Sequence, residues 1–491
     1  MKRSLIAALV GACSTFGLTG CTLGPDFKVP ANPLSAHWAQ PTIAAPTTTP
    51  YSQTNAGAVE TQWWNTFGDP LMSSLLRRAQ ANNLDLGIAA QHVEQSMAAR
   101  KTVAADKLPS VGAHADYSRA RSSSRGLADI SGLNGKRNYN LWDTGFNLNW
   151  EADLWGRVRR SVEMADANIQ VTEEDQRNAL ISIMGQTAHD YIQLRSTQNI
   201  LKVTRQNQEI AQHSLSLTQM RLNQGVATDL EVSEATALVA SIDARIPPLE
   251  QQQSILINAL SFLVGREPGA LTIELSTVKD IPAGPADVPV GLPSELAQRR
   301  PDIRRAEADL HAATAAIGVA KADFYPRITL SGTVGFQATQ LSHLGSWATH
   351  NFAFGPALSL PLFEGGRPQG VLELRESRQK EAGITYQRTV LAAWHEVDNA
   401  LSGYHANQRR HESLERAVTA SQKALVSAQQ QYVAGSVNFL NVLTVQNALL
   451  ANQAALVQST ADVSLTLVSL YQALGGGWES PPTLAAVSNN P

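Results

Sequence analysis

The sequence predicts an α+β membrane protein made by internal duplication, each copy carrying two β-strands and one very long helical hairpin. Three observations predict it. A glycine-centred turn occurs twice, as Arg221-Leu-Asn-Gln-Gly225-Val-Ala-Thr-Asp-Leu230-Glu-Val232 and as Gln431-Tyr-Val-Ala-Gly435-Ser-Val-Asn-Phe-Leu440-Asn-Val442. The glycines are 210 residues apart, with Leu230/Leu440 and Val232/Val442 in register. Glycine tolerates the positive φ that ends a helix. Each turn lies inside a proline-free run, 110–246 and 369–480, and four stretches alternate apolar and polar residues as amphipathic strands do.

At 491 residues, one compact core is not expected, but a repeated, elongated architecture is. Net charge is −3, and removing Lys2 and Arg3 leaves 37 basic against 42 acidic residues, or −5. That balance argues against nucleic acid as a partner. No run of 18 apolar residues follows the start, so no membrane-spanning helix is expected. The 11 histidines are scattered, with no His-Glu-x-x-His, Gly-x-Ser-x-Gly or phosphate loop. No catalytic residue and no metal site are expected.

The first residues read as a leader. Lys2 and Arg3 precede an apolar stretch from Leu5 to Leu18, which ends in Leu18-Thr19-Gly20-Cys21. This ending resembles the lipobox of bacterial lipoproteins. The resemblance implies a signal peptide over 1–20, then S-diacylglycerol and N-palmitoyl on Cys21. Thr22 in place of aspartate implies passage to the outer membrane. The alternative is an ordinary signal peptide that happens to contain cysteine. Cys13 leaves with the leader, so the mature chain is expected to have no disulfide and no thiol metal site. Residues 21–60, with six prolines between Pro25 and Pro50, read as a lipidated, extended tether.

The first repeat is placed at 61–265. Asp69-Pro70 opens a helix that continues to about Lys107. Strands are expected near 110–121, where Val111, Ala113, Ala115 and Tyr117 share a face, and near 140–154, where Phe146, Leu148 and Trp150 alternate with Asn147, Asn149 and Glu151. Trp142, Trp150 and Trp155 lie near strand ends, either as interfacial anchors or, for Trp155, packed where strand meets helix. From Gly156, Leu180, Ile183, Thr187, Tyr191 and Leu194 repeat at three and four residues, as in a coiled coil. The helix returns after Gly225 and is expected to kink at Pro247-Pro248.

Residues 266–300 read as a loop-rich connector. The second repeat, 301–475, restarts at an offset of 217: Asp85/Asp302, Ala98/Ala315, Asp106/Asp323 and Pro109/Pro326 match. Strands are expected near 327–338 and 352–362. The second hairpin carries the seam Leu414, Val418, Ser421, Leu425, Ala428 and Tyr432, and 476–491 is a tail.

Four strands of about ten residues suit a tilted outer-membrane barrel. Four cannot close one, since about eight is the practical minimum, and an open edge is forbidden in lipid. The barrel is therefore expected to be shared between subunits. The alternative is a soluble coiled-coil protein with an ordinary small sheet.

Several long stretches now carry a resemblance: Trp63-Trp-Asn-Thr-Phe-Gly-Asp-Pro70, Arg299-Arg-Pro-Asp-Ile-Arg-Arg-Ala-Glu-Ala-Asp-Leu310, Ala320-Lys-Ala-Asp-Phe-Tyr-Pro326 and Phe354-Gly-Pro-Ala-Leu-Ser-Leu-Pro-Leu-Phe-Glu-Gly-Gly-Arg367. The chain resembles the TolC-like outer-membrane efflux factors, in their OprM-type lipoprotein branch. The resemblance implies a homotrimer, with a 12-stranded β-barrel of four strands per chain continued by a long periplasmic α-helical barrel. It implies a passive exit duct in the outer membrane of a Gram-negative bacterium. A periplasmic membrane-fusion adaptor would couple it to an inner-membrane resistance-nodulation-division pump. The alternative keeps the shape but serves an ATP-driven, type I-like secretion system.

The same resemblance implies that the adaptor touches the tips, at Gln224, Gly225, Val226 and Ala227 and at Ala434, Gly435, Ser436 and Val437. The simpler reading is that the glycines only permit the turn. The family's periplasmic gate falls on Leu440 and Thr444. Its acidic positions hold Asn441 and Thr444 here, a departure, while Glu231 and Glu234 occupy the equivalent first-hairpin positions. Those glutamates either carry the charge of the gate or are an ordinary solvated helix face.

Overall fold

The computed structural model describes residues 22–31, 38, 53–55, 57, 60–123, 137–291, 293 and 296–478. The signal peptide, Cys21, most of the tether and the tail beyond Trp478 lie outside the described residues. The described residues form two compact units, one drawn from 22–30, 93–172 and 306–386, the other from 31–92, 173–305 and 387–478. No described helix is long and apolar enough to cross a membrane.

The elements run β1 Gln53–Asn55, α1 Pro70–Asn82, α2 Leu84–Ala105, β2 Ser110–Arg121, β3 Asn138–Ala152, α3 Arg157–Asn223, α4 Asp229–Asp243 and α5 Ile246–Leu263. They continue as α6 Thr272–Leu275, β4 Asp287–Pro289, α7 Leu296–Arg299, α8 Pro301–Ala322, β5 Arg327–Ala338, β6 His350–Ser359, α9 Arg367–Val433 and α10 Phe439–Ala473. The duplication is exact in length at two places: β2 and β5 both have 12 residues, and α3 and α9 both have 67.

In the first unit the strands form one antiparallel sheet, ordered β2-β3-β5-β6. Cross-strand partners share a face. Ala113, Phe146, Val334 and Phe352 therefore form one row, and Val111, Leu148, Gly332 and Phe354 the next. The opposite face is polar, with rows such as Gly112, Asn147, Thr333 and Ala353. On it, Asp143 meets His114 at 3.3 Å and accepts from Gln337 at 2.8 Å. The apolar face is bare: Phe146, Val334, Phe352 and Phe354 are all exposed. Among the described residues, β2 and β6 pair on one side only.

Residues 22–30, expected to begin the tether, are instead docked on this unit. Leu23 donates to Trp155 O at 3.1 Å. The buried Arg160 donates to Leu23 O at 3.1 Å and to Asp26 at 2.7 Å. Phe27 stacks on His311, ring centroids 4.5 Å apart. Gly24 has φ +93°, and a Cβ there would stand 2.5 Å from Gly318 Cα, so two glycines let the backbones touch. Trp155 packs where strand meets helix, against Tyr325 at 4.9 Å.

In the second unit, the expected helix up to Lys107 is broken at Asn83. Its Oδ1 accepts from Asp85 N and Leu86 N at 2.9 and 3.2 Å, capping α2, while its amide donates to Leu263 O at 3.0 Å. The expected kink comes two residues early: the helix breaks at Ala244-Arg245, and the prolines sit in the first turn of α5, where no N–H is missed. The second return, α10, is unbroken over 35 residues.

The connector is pinned rather than loose. Arg195 and Gln198 on α3 donate to Thr277 O and Leu275 O at 2.8 and 2.7 Å. Asp69 caps α1 through Leu71 N and Met72 N and accepts from Tyr191 Oη at 2.7 Å. Burial, reinforced by that bond, pushes the Tyr191 phenol up. Arg300 donates to Asp302 and to Ala473 O, and pairs with Glu396 at 2.8 Å. Arg177 and Arg304 flank the Trp478 ring at 5.1 and 5.2 Å, and both pair with the buried Glu174. Burial raises the Glu174 carboxyl against their pull.

The docked segment gives a direct expectation. A Cβ on Gly318 would meet Arg160 Cγ and Leu23 O, both at 2.7 Å. Gly318→Val should cost about 1–3 kcal/mol through overpacking and expose residues 22–30 to protease. An unchanged melting temperature together with unchanged cleavage would contradict the docking.

Candidate functional site: the paired hairpin tips

Both long helices end the same way. Val226 N donates to Arg221 O at 2.9 Å and Gly225 N to Leu222 O at 2.9 Å. Ser436 N donates to Gln431 O at 2.9 Å and Gly435 N to Tyr432 O at 3.0 Å. This is the Schellman pattern, which satisfies the last carbonyls and requires a left-handed residue. Gly225 and Gly435 supply it, at φ +74° and +72°. A Cβ at either would meet nothing within 4 Å, so backbone conformation alone demands glycine.

The next helices begin under side-chain caps. Thr228 accepts from Glu231 N, and Glu231 in return accepts from Thr228 N at 2.9 Å, a complete capping box. Asn438 accepts from Asn441 N at 3.3 Å. The Glu231 carboxylate is thus engaged in holding its own helix start. Glu234 is half-buried one turn on. Thr444 Oγ1 donates to Leu440 O at 2.8 Å.

Apolar surface gathers at the tips. Leu440 is 51% exposed and its counterpart Leu230 is 66% exposed. Among the tip residues, Gln224, Gly225, Val226, Ala434, Gly435 and Ser436 are exposed, while Ala227 and Val437 are half-buried. Val437 packs against a core of Ala235, Val418, Leu425, Tyr432, Phe439 and Val442. One apolar core therefore joins the two hairpins just behind their tips.

One residue escaped the sequence reading. Arg221 donates to Val433 O at 3.2 Å, across from one tip to the other. Its guanidinium lies 4.7 Å from the Tyr432 ring, a cation–π contact. Tyr432 in turn meets Phe439 edge-on at 5.5 Å. The signal was in the alignment of the repeats: Arg221 faces Gln431 at the shared offset, a break in an otherwise matched turn. Among the described residues, no group of His, Cys, Asp or Glu is arranged to hold a metal ion.

The profile of the outer membrane efflux protein family matches residues 75–266 and again 292–476. The chain belongs to this family. The chain is 32% identical over 482 residues to the outer membrane protein OprJ of Pseudomonas aeruginosa, covering 98% of this chain and 96% of OprJ. It is 28% identical to the cation efflux system protein CusC of Escherichia coli, covering 96% and 99%. Among solved structures, the outer-membrane channel OprN superposes with a TM-score of 0.86 at 33% identity, covering 94% of this chain and all of that one. The fold class is that of the TolC-like outer-membrane channels, and the chain's place is the outer membrane.

Two outcomes follow for the tips. Gly225→Ala and Gly435→Ala should each cost about 1 kcal/mol, from backbone conformation alone. Arg221→Ala should speed amide exchange in 434–438 and leave 180–200 on α3 unchanged. Equal exchange at the second tip would show that Arg221 does not tie the hairpins.

Proposed function

We propose that three copies of this chain assemble into the outer-membrane duct of a tripartite efflux system. Membership of the outer membrane efflux protein family and the likeness to efflux proteins support an efflux component and set aside the secretion duct. The observation that carries the proposal is the exposed apolar face of an unclosed four-stranded sheet, in a chain that also carries two long hairpins. Three copies place 12 strands around one axis, enough to close a barrel. The apolar rows then face lipid, and the polar rows, with His114, Asp143 and Gln337, line the lumen.

The tips are the periplasmic mouth. A membrane-fusion adaptor seats on the exposed turns at 224–227 and 434–437, and an inner-membrane resistance-nodulation-division pump supplies the driving force. Transit through the duct is passive, so no side chain performs chemistry. Leu440, repeated by the trimer, forms an apolar ring that excludes water by dewetting. Thr444 lies one turn beyond it, and Glu234, with Asp229 nearby, carries the first-hairpin charge toward the pore, since Glu231 is held in its cap. Cys21 carries S-diacylglycerol and N-palmitoyl, which anchor the docked segment at 22–30 to the membrane.

Purified protein in planar bilayers should show discrete conductance steps, and Leu440→Ala should raise the open fraction. A folded, assembled preparation that stays silent even as Leu440→Ala would sink the duct. For the anchor, labelled palmitate should enter the wild-type chain and not Cys21→Ser; equal labelling of both would exclude acylation at Cys21.

A further inference from the structure

Within the chain, the junction after β3 packs against the junction before β5. Trp155 lies on Tyr325, and its Nε1 donates to Pro326 O at 2.8 Å. Arg157 donates to Glu151 at 2.8 and 2.7 Å. Those bonds chiefly hold its guanidinium above the ordinary value, and Asp323 and Asp106 add to them. The strands beside this contact pair from Trp142↔Ala338 to Ala152↔Ile328.

The duplication places the equivalents of both junctions at the two outer edges of the sheet, with Gly365 where Trp155 stands and Leu108 where Tyr325 stands. β6 and the residues after it match β3 at +210, as Gly366-Arg367 matches Gly156-Arg157. β2 and the residues before it match β5 at −217, as Asp106 and Pro109 match Asp323 and Pro326. The two hairpins obey the same shifts: Ser110↔Asn149 becomes Arg327↔Ser359. Yet the edge copies of the junctions are uncovered. Leu362 and Phe363 are 89% and 90% exposed, and Leu108, the counterpart of Tyr325, is 70% exposed. Arg367 is exposed and, among the described residues, has no ion-pair partner. Pro361 stands where Glu151 serves Arg157, so the strand before Arg367 supplies it no carboxylate. Arg367 instead borders an open cleft of about 500 Å³ with Asp323, Arg327, Pro361 and Glu364. Of its acids, Asp323 is already paired with Arg327.

We infer that the β3–β5 ladder recurs between copies: β6 pairs with β2 of the next copy, the exposed Leu362 falls opposite that copy's Val111, Gly365 in the place of Trp155 lets the chain come close over its Leu108 and Pro109, and Arg367 faces its Asp106. This rests on the shared barrel proposed above and adds its register. Shifting the β3–β5 ladder by +210 and −217 sets Leu358 opposite Ala115, Leu360 opposite Ala113 and Leu362 opposite Val111. The result passes a check it was not built on. Ala115, Ala113 and Val111 lie on the apolar face of β2, and Leu358 shares the face of Ile328 and Ala152. A slip of one residue would set these leucines against His114 and Gly112 on the polar face. A second copy is the occupant because one operation matches each edge to the other, head to tail, and its repetition closes a ring.

Paired cysteines test the register in the lipid-embedded protein, with each single cysteine as control. On oxidation, Ala115→Cys/Leu358→Cys and His114→Cys/Ser359→Cys should link chains into covalent dimers and trimers. The slipped pair His114→Cys/Leu358→Cys should give at least about tenfold less product, its side chains being on opposite faces. Arg367→Glu should lower the temperature at which the assembly dissociates, and adding Asp106→Arg should restore part of it. Efficient linkage by the slipped pair, or none by the matched pairs in an assembly with the mass of three chains, would overturn this register and leave the shared barrel standing. A single-chain mass in lipid would instead remove the shared barrel, and this contact with it.

Discussion

A strand in lipid has no water to satisfy its backbone, so every N–H and C=O must find a partner in protein. Among the described residues, the sheet meets that demand for β3 and β5 and leaves the outer edges of β2 and β6 bare. Its apolar face is equally unsuited to water. Joining identical sheets edge to edge removes the first deficit, and lipid against the outer face removes the second. The remaining features serve that arrangement. The docked segment at 22–30 ties the N-terminal end to the strand-to-helix junction, and Gly24 and Gly318 permit the close approach.

The helical part obeys a different rule. Each hairpin needs a tight reversal after 67 helical residues, and each uses the same device: a left-handed glycine before it and a side-chain cap after it. The two tips are not equivalent. Arg221 reaches from the first to the carbonyl and ring of the second, and Glu231 closes a capping box whose counterpart is absent at Asn441. The tips are therefore a tied pair of turns with two exposed leucines, Leu230 and Leu440.

Much of this was legible in the sequence because it depends on local rules. Positive φ demands glycine, so the tips could be found from Gly225 and Gly435. Strand alternation exposed the four strands to within a few residues, and repeat offsets of 210 and 217 related one copy to the other. What escaped depends on contacts distant in sequence. Asn83 breaks a helix because Leu263 O waits for its amide. Residues 22–30 read as tether because nothing local announces that Arg160 and His311 hold them. Glu231 read equally well as pore charge or surface, although Thr228-Asp-Leu-Glu231 already spells the capping-box pattern. Trp155 could have been a membrane anchor until Tyr325, 170 residues away, was found beneath it.

The bare edges are the point on which the account stands, and amide hydrogen exchange in the lipid-embedded protein examines them directly. Closure between copies predicts that amides of β2 and β6 exchange as slowly as those of β3 and β5. Rapid exchange along β2 and β6, with β3 and β5 protected, would mean that the edges stay open and would contradict the shared barrel.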